Sequence, residues 1–170
     1  MSRTDTLKAQ KPFPWKLFLK VLIVAAIGLF FVRTFIVDLG YRVALSKSES
    51  LDTAIFLVTP FNGRPESGDL VYFRAPQNPY FDGPVIKRVV GVPGDRIEVR
   101  DRQVFVNGRE IGWAKPLTRT GEPLTPIQLQ TIPDNHVFVA GEHIDSYDSR
   151  YAEFGLVPDY LMFGSAKAIF

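Results

Sequence analysis

The run Leu17–Val37 constrains this chain more than any other stretch. It is almost wholly apolar, interrupted only by Lys20, Arg33 and Thr34. About 20 apolar residues span the hydrocarbon of a bilayer, so the run is long enough to cross one. A helix in a soluble core would show a polar face at helical spacing, and Val21 to Val32 shows none. Lys20 and Arg33 stand near the two ends, where long side chains reach the headgroups. The segment before it, Met1 to Lys16, is polar and carries Arg3, Lys8, Lys11 and Lys16. That bias predicts a cytoplasmic N-terminus and a body on the far side of the membrane. A cleavable signal peptide is the rival reading, but the run is long for one and no small-x-small site directly follows it. The expected organisation is a cytoplasmic segment 1–16, a transmembrane anchor 17–37 and an extracytoplasmic domain 38–170.

What remains of a 170-residue chain is enough for one domain with a real core. The formal net charge of +2 offers no basic surface for nucleic acid. Absence of cysteine removes thiol nucleophiles, disulfides and thiolate metal sites together. Two histidines, His136 and His143, are too few and too poorly spaced for a zinc site, so no metal and no organic cofactor is expected.

The pattern past the anchor is that of strands and turns. Ala54–Val58 is a short apolar strand candidate, and Gly68-Asp69 turns the chain into Leu70–Phe73. A loop rich in Pro, Asn and aromatic residues lies between Arg74 and Pro84. Val85 to Val90 reads as a strand closed by the turn Pro93-Gly94-Asp95. Arg96–Arg100 alternates polar and apolar residues as a half-buried strand does, and Gln103–Val106 flanks it across Asp101-Arg102. Asn107-Gly108 makes a further turn; His136–Gly141 and Gly164–Phe170 are again strand-like. Gly112 to Pro133 has no strong period and reads as a long loop or small excursion. The expected body is mainly β, antiparallel and partly barrel-like.

Two features of this body carry chemical interest. Lys87 sits in the strand Val85–Val90, where packing is expected on both sides. It can point outward from an edge, or lay its stem on apolar surface while the ammonium reaches water. Alternatively it is desolvated until its neutral amine is populated, which makes it a general base. Such a base needs a hydroxyl to activate. Ser46, Ser48 and Ser50 stand at alternate positions just past the anchor and share one face if that piece is extended. They are equally compatible with a solvated linker.

The residues Ile86-Lys87-Arg88-Val89-Val90-Gly91-Val92-Pro93-Gly94-Asp95 resemble the lysine box of the type I signal peptidases, the Ser/Lys membrane proteases. Gly68–Phe73 resembles the strand box before it. Gly141-Glu142-His143-Ile144-Asp145-Ser146-Tyr147-Asp148-Ser149-Arg150, followed by Gly155–Pro158, resembles the last box. Arg33–Val37 is similar to the end of that family's anchor. The boxes stand in the family's order and cover most of the chain outside 112–133. The resemblance implies a compact signal-peptidase-type antiparallel β domain behind one transmembrane helix.

It also implies roles. Ser50, followed by Leu51, matches the nucleophile, and Lys87 the base that takes its proton and later delivers it to the leaving amine. Ser48 matches a hydroxyl that helps the backbone N–H of the nucleophile build an oxyanion hole. Ser146 matches a serine that orients the lysine, and Asp148 with Arg150 a structural ion pair behind the site. The sequence departs from the family where Asp52 replaces the usual Pro and Ala54 the glycine of the conjugation-type relatives. The last box shows His143-Ile144 in place of Asn-Arg. A gap-free alignment from the anchor favours Ser46 or Ser48 as nucleophile instead. His143 reads as a plain surface histidine.

The short body leaves no room for the extra β domain of long signal peptidases. It is more similar to the conjugative-transfer branch that processes pilin precursors. The implied activity is endoproteolysis of a signal peptide or pilin precursor at the outer face of a bacterial inner membrane, within a secretion or conjugation apparatus, with hydrolysis and cyclisation both open. General signal peptidase activity is the alternative. A catalytically inactive, membrane-tethered scaffold of such an apparatus is the reading from another class. A self-cleaving Ser/Lys repressor is weaker still, since no DNA-binding helix pair accompanies the anchor.

Overall fold

The computed structural model describes residues 14–45, 55–76 and 83–169. Helix α1 covers Trp15–Asp38, two residues earlier and one later than the apolar run. At 1.5 Å per residue its 24 residues extend about 36 Å, enough to cross a bilayer with some tilt. The carbonyl of Pro14 accepts the first helical bonds from Leu17 and Phe18. None of the helix residues is buried in protein, and the helix is apolar all round, as lipid requires. Thr34, the hydroxyl within it, donates to the carbonyl of Phe30 at 2.8 Å and so carries no unsatisfied donor. The chain divides between Asp38 and Leu39 into two compact units.

The second unit is built of two antiparallel sheets. Its strands are β1 (Arg42–Leu45), β2 (Ile55–Thr59), β3 (Leu70–Arg74), β4 (Pro84–Gly91), β5 (Arg96–Arg100) and β6 (Gln103–Val106). They continue with β7 (Arg109–Trp113), β8 (Gln130–Thr131), β9 (His136–Ala140), β10 (Val157–Pro158) and β11 (Met162–Ala168). The larger sheet has the order β1-β2-β11-β3-β4-β9-β10, the smaller β7-β6-β5-β8. Among the described residues β1 and β10 stand at the edges of the larger sheet, and the body is mainly antiparallel β, as expected.

Alternation along each strand sends its side chains to two cores. Val71, Phe73 and Val89 of the larger sheet meet Ile97, Val104 and Val106 of the smaller, with Ile132, Tyr151 and Phe154 completing this main core. The other face of the larger sheet buries Ala44, Phe56, Val58, Ile86 and Ala166 as a second, smaller cluster. Strand β4 therefore feeds both: Ile86 points to the small cluster, while Val85 and Val89, and Lys87 between them, face the main core.

The smaller sheet is a meander made by two tight turns. Asn107-Gly108 has both residues at positive φ (50° and 77°), the mirror-image turn that matches strand twist. Asp101-Arg102 does the same at 47° and 67°, an unusual choice for an arginine. Its compensation is visible. The Arg102 guanidinium donates to the carbonyls of Ala114, Lys115 and Leu124 at 2.6–2.7 Å, pinning the base of the 114–127 excursion. Strands β1 and β7 are absent from the sequence-based expectation. Both are edge strands with mostly exposed side chains, so neither shows the alternation that marks a half-buried strand. The region 112–133 is otherwise as irregular as expected, tied down by bridges from Leu117 to Pro123 and from Pro126 to Tyr151.

Candidate active site

Lys87 is 4% exposed, at the centre of β4 and opposite Val71 of β3. Its stem lies in the row that faces the main core, so neither bland fate of a strand lysine applies. Its Nζ donates to Ser146 Oγ at 2.6 Å. Burial drives the pKa of the amine down to about 8; the Asp148 carboxylate opposes that shift and the Arg150 guanidinium adds to it. At pH 7 roughly a tenth of such amines are neutral, against a few in ten thousand for an ordinary lysine.

Strand β9 brings the partner. Ala140 pairs with Arg88, so the next residue, Gly141, falls beside Lys87. From there the chain turns sharply: the N–H of Ser146 donates to the carbonyl of His143 at 3.0 Å, and that of Asp145 to His143 Nδ1 at 3.1 Å. This turn folds Ser146 back over Gly141. A Cβ at position 141 would stand 2.1 Å from Ser146 Oγ and 3.1 Å from Lys87 Nζ, so only glycine permits the approach. The sequence places Gly141 at the head of its box without showing this role. His143, expected as a plain surface residue, is half-buried and shapes the turn with its ring and its carbonyl.

Behind the turn lies a buried ion pair. Arg150 Nε donates to Asp148 Oδ1 and Nη2 to Asp148 Oδ2, both at 2.9 Å. Asp148 also accepts the N–H of Gly141 at 2.9 Å, and Arg150 Nη2 reaches the carbonyl of Ser146 at 3.1 Å. Two buried charges are costly unless paired and hydrogen-bonded on all sides, and here the surplus bonds hold both ends of the turn. Ser149 completes the fastening by exchanging bonds with the backbone of Val139.

Ser46, Ser48 and Ser50 lie outside the described residues, in the connection 46–54 whose two ends pair as Leu45 with Ile55. The structure thus brings together Lys87, Ser146, Asp148 and Arg150, and speaks to none of the three candidate nucleophiles. Among the described residues no group of three or more His, Asp or Glu side chains is arranged to hold a metal ion. Chemically, the described half of the site offers a desolvated amine with a fixed hydroxyl on it and one carboxylate–guanidinium pair in support.

Residues 15–170 match the model of the family described as signal peptidase, peptidase S26. The chain is 30% identical to conjugal transfer protein TraF of Agrobacterium fabrum, over 77% of this chain and 82% of that protein. It is also 30% identical to signal peptidase I of Pseudomonas aeruginosa, over 70% of this chain and 52% of that one. A crystal structure of a signal peptidase I from Enterococcus faecalis aligns with 61% of this chain and 97% of its own, at 29% identity and a TM-score of 0.40. Match length and shared identity lead to one conclusion: the chain belongs to the signal peptidase family, peptidase S26, a family of serine peptidases.

Proposed function

We propose that this protein is a membrane-anchored endopeptidase in which Ser50 is the nucleophile and Lys87, as neutral amine, its general base. The observation that carries the reading is the buried Lys87 amine held by the Ser146 hydroxyl 2.6 Å away. Lys87 takes the proton of Ser50 Oγ, which attacks the scissile carbonyl. The resulting oxyanion is held by the backbone N–H of Ser50 and the Ser48 hydroxyl. Such a donor is worth about 2.7–4 kcal/mol of barrier. Collapse expels the amine of the mature segment, which receives the proton from the Lys87 ammonium. Water then resolves the acyl-enzyme, or an amine does so if the product is cyclic. Ser146 orients Lys87, and Asp148 with Arg150 fixes the turn that carries Ser146.

The basic residues of 1–16 support a cytoplasmic N-terminus, with 17–37 spanning a bacterial inner membrane and 38–170 acting at its outer face. The likeness to conjugal transfer proteins supports a pilin precursor and a conjugation apparatus as context; a general secretory precursor is the alternative that the likeness to signal peptidases supports. Processing of both precursor types by the wild type, Ser50→Ala, Ser48→Ala and Lys87→Ala, read by product mass, tests the proposal. Loss in Ser50→Ala and Lys87→Ala with partial loss in Ser48→Ala is expected. Full processing by Ser50→Ala and none by Ser48→Ala would move the nucleophile two residues back.

A further inference from the structure

The excursion 114–127 has no part in the chemistry above, yet it reaches the turn that carries Ser146. Asp145, the residue before Ser146, accepts Lys115 Nζ on Oδ1 and Arg119 Nε and Nη2 on Oδ2, the latter two at 3.0 and 2.9 Å. Both cations come from the excursion, which is itself firmly built. Arg102 gathers three of its carbonyls. Thr118 Oγ1 accepts the N–H groups of Thr120 and Glu122, at 3.2 and 3.0 Å, closing its tip. Its far end is laid against the segment that follows the buried ion pair: Ile127 N–H donates to the carbonyl of Arg150, and Ala152 N–H to that of Thr125, both at 2.9 Å.

We propose that this excursion is a positioning strut, in which Lys115 and Arg119 grip Asp145 and thereby hold the turn that presents the Ser146 hydroxyl to the Lys87 amine. The turn's inner side is fastened by Arg150 on the carbonyls of Ser146 and His143. Asp145 is its other fastening, and among the described residues its backbone N–H adds the bond to His143 Nδ1. The inference rests on the role proposed for Lys87 and adds residues to the same site.

The groups involved sort cleanly by pH. Hydrogen bonds from Lys115, then from Arg119, hold the Asp145 carboxyl down at about 2, so it is ionised at neutral pH. Among the described residues the charged groups acting on Lys87 are Asp148 and Arg150, both on the turn's inner side. A loosened turn lets the Ser146 hydroxyl leave and water enter, which raises the Lys87 pKa towards that of an ordinary lysine. Each unit of rise cuts the neutral fraction tenfold wherever the pH is below the pKa.

The test compares the full-length wild type with Asp145→Asn, Lys115→Met, Arg119→Gln and the conservative Lys115→Arg. Two readouts are taken against pH: kcat and KM for a precursor peptide, and the rate of reductive methylation at Lys87 followed by peptide mass. The expected result for Asp145→Asn is an acid limb moved up by about one pH unit and kcat about tenfold lower at pH 7. KM stays unchanged, wild-type kcat is regained near pH 10, and the methylation profile shifts equally. Lys115→Met and Arg119→Gln shift both profiles in the same sense, and Lys115→Arg keeps the wild-type ones. Unshifted profiles, or a loss by one factor at every pH, overturn the strut and leave those residues a structural role. Should Asp145→Asn fail to fold, Lys115→Met and Arg119→Gln decide alone. Processing that survives Lys87→Ala sinks the dyad instead, while a shifted methylation profile would still establish the strut.

Discussion

At the scale of single residues, the site is a balance between burial and charge at Lys87. Its pKa of about 8 in the folded chain lies below the 10.5 of an ordinary lysine. Between those values the unfolded chain binds more protons, so stability rises with pH across that window, by about 3 kcal/mol at most. Below pH 8 the charged, buried amine costs stability in full. Lys87→Met, of similar length and without charge, is therefore expected to abolish processing yet stabilise the protein at pH 7 by about 1–3 kcal/mol. Urea titrations at pH 7 and pH 10 check this, since the advantage should shrink at the higher pH. Gly141→Ala is expected to act oppositely. Its methyl group occupies the place of Ser146 Oγ, so the Lys87–Ser146 bond breaks at an overpacking cost of about 1–3 kcal/mol, with kcat falling more than KM rises. Sequence marks Lys87 and Ser146 as candidates through the boxes around them. It does not mark the glycine between them, because a close approach of two chain segments leaves no local signature.

At the scale of elements, the regular strands are legible and the edges are not. Alternation in Arg96–Arg100 and the Asn107-Gly108 turn announce the β5–β6–β7 meander, although β7 itself, exposed along most of its length, carries no pattern to read. The excursion 114–127 is illegible for another reason. Its order comes from Arg102, a residue in the turn before β6, and from contacts to residues 150–153, both remote in sequence. Arg102→Ala is expected to destabilise the protein by about 3 kcal/mol, since three carbonyls lose a charged donor at once. Proteolysis should then cut first within 114–127. A global loss of protection with no preference for that segment would show that the turn conformation, and not the three bonds, is what Arg102 supplies.

At the scale of the whole molecule, composition carries the strongest message. A helix of 24 residues with no buried side chain and an apolar surface all round has no role in a soluble core. In the proposed topology, the basic residues that precede it keep the N-terminus on the cytoplasmic side. A protease added to spheroplasts is expected to digest the body beyond Leu39 and to spare an N-terminal tag; a digested tag would reverse the topology. The β unit that follows needs no cysteine, and its two sheets enclose the main core on which Lys87 borders. The fold class follows from strand periodicity, whereas the pairing order of the larger sheet, with β11 inserted between β2 and β3, has no counterpart in the linear pattern.

The central claim is that a neutral Lys87 activates Ser50. Its most direct test is to label the purified, detergent-solubilised protein with a serine-directed acylating inhibitor across pH 5–10 and map the adduct by mass spectrometry. The account predicts one adduct, on Ser50, forming at a rate that rises with pH to a plateau above about pH 8 and absent in Lys87→Ala. An adduct on Ser46 or Ser48, or labelling that persists without Lys87, would contradict it.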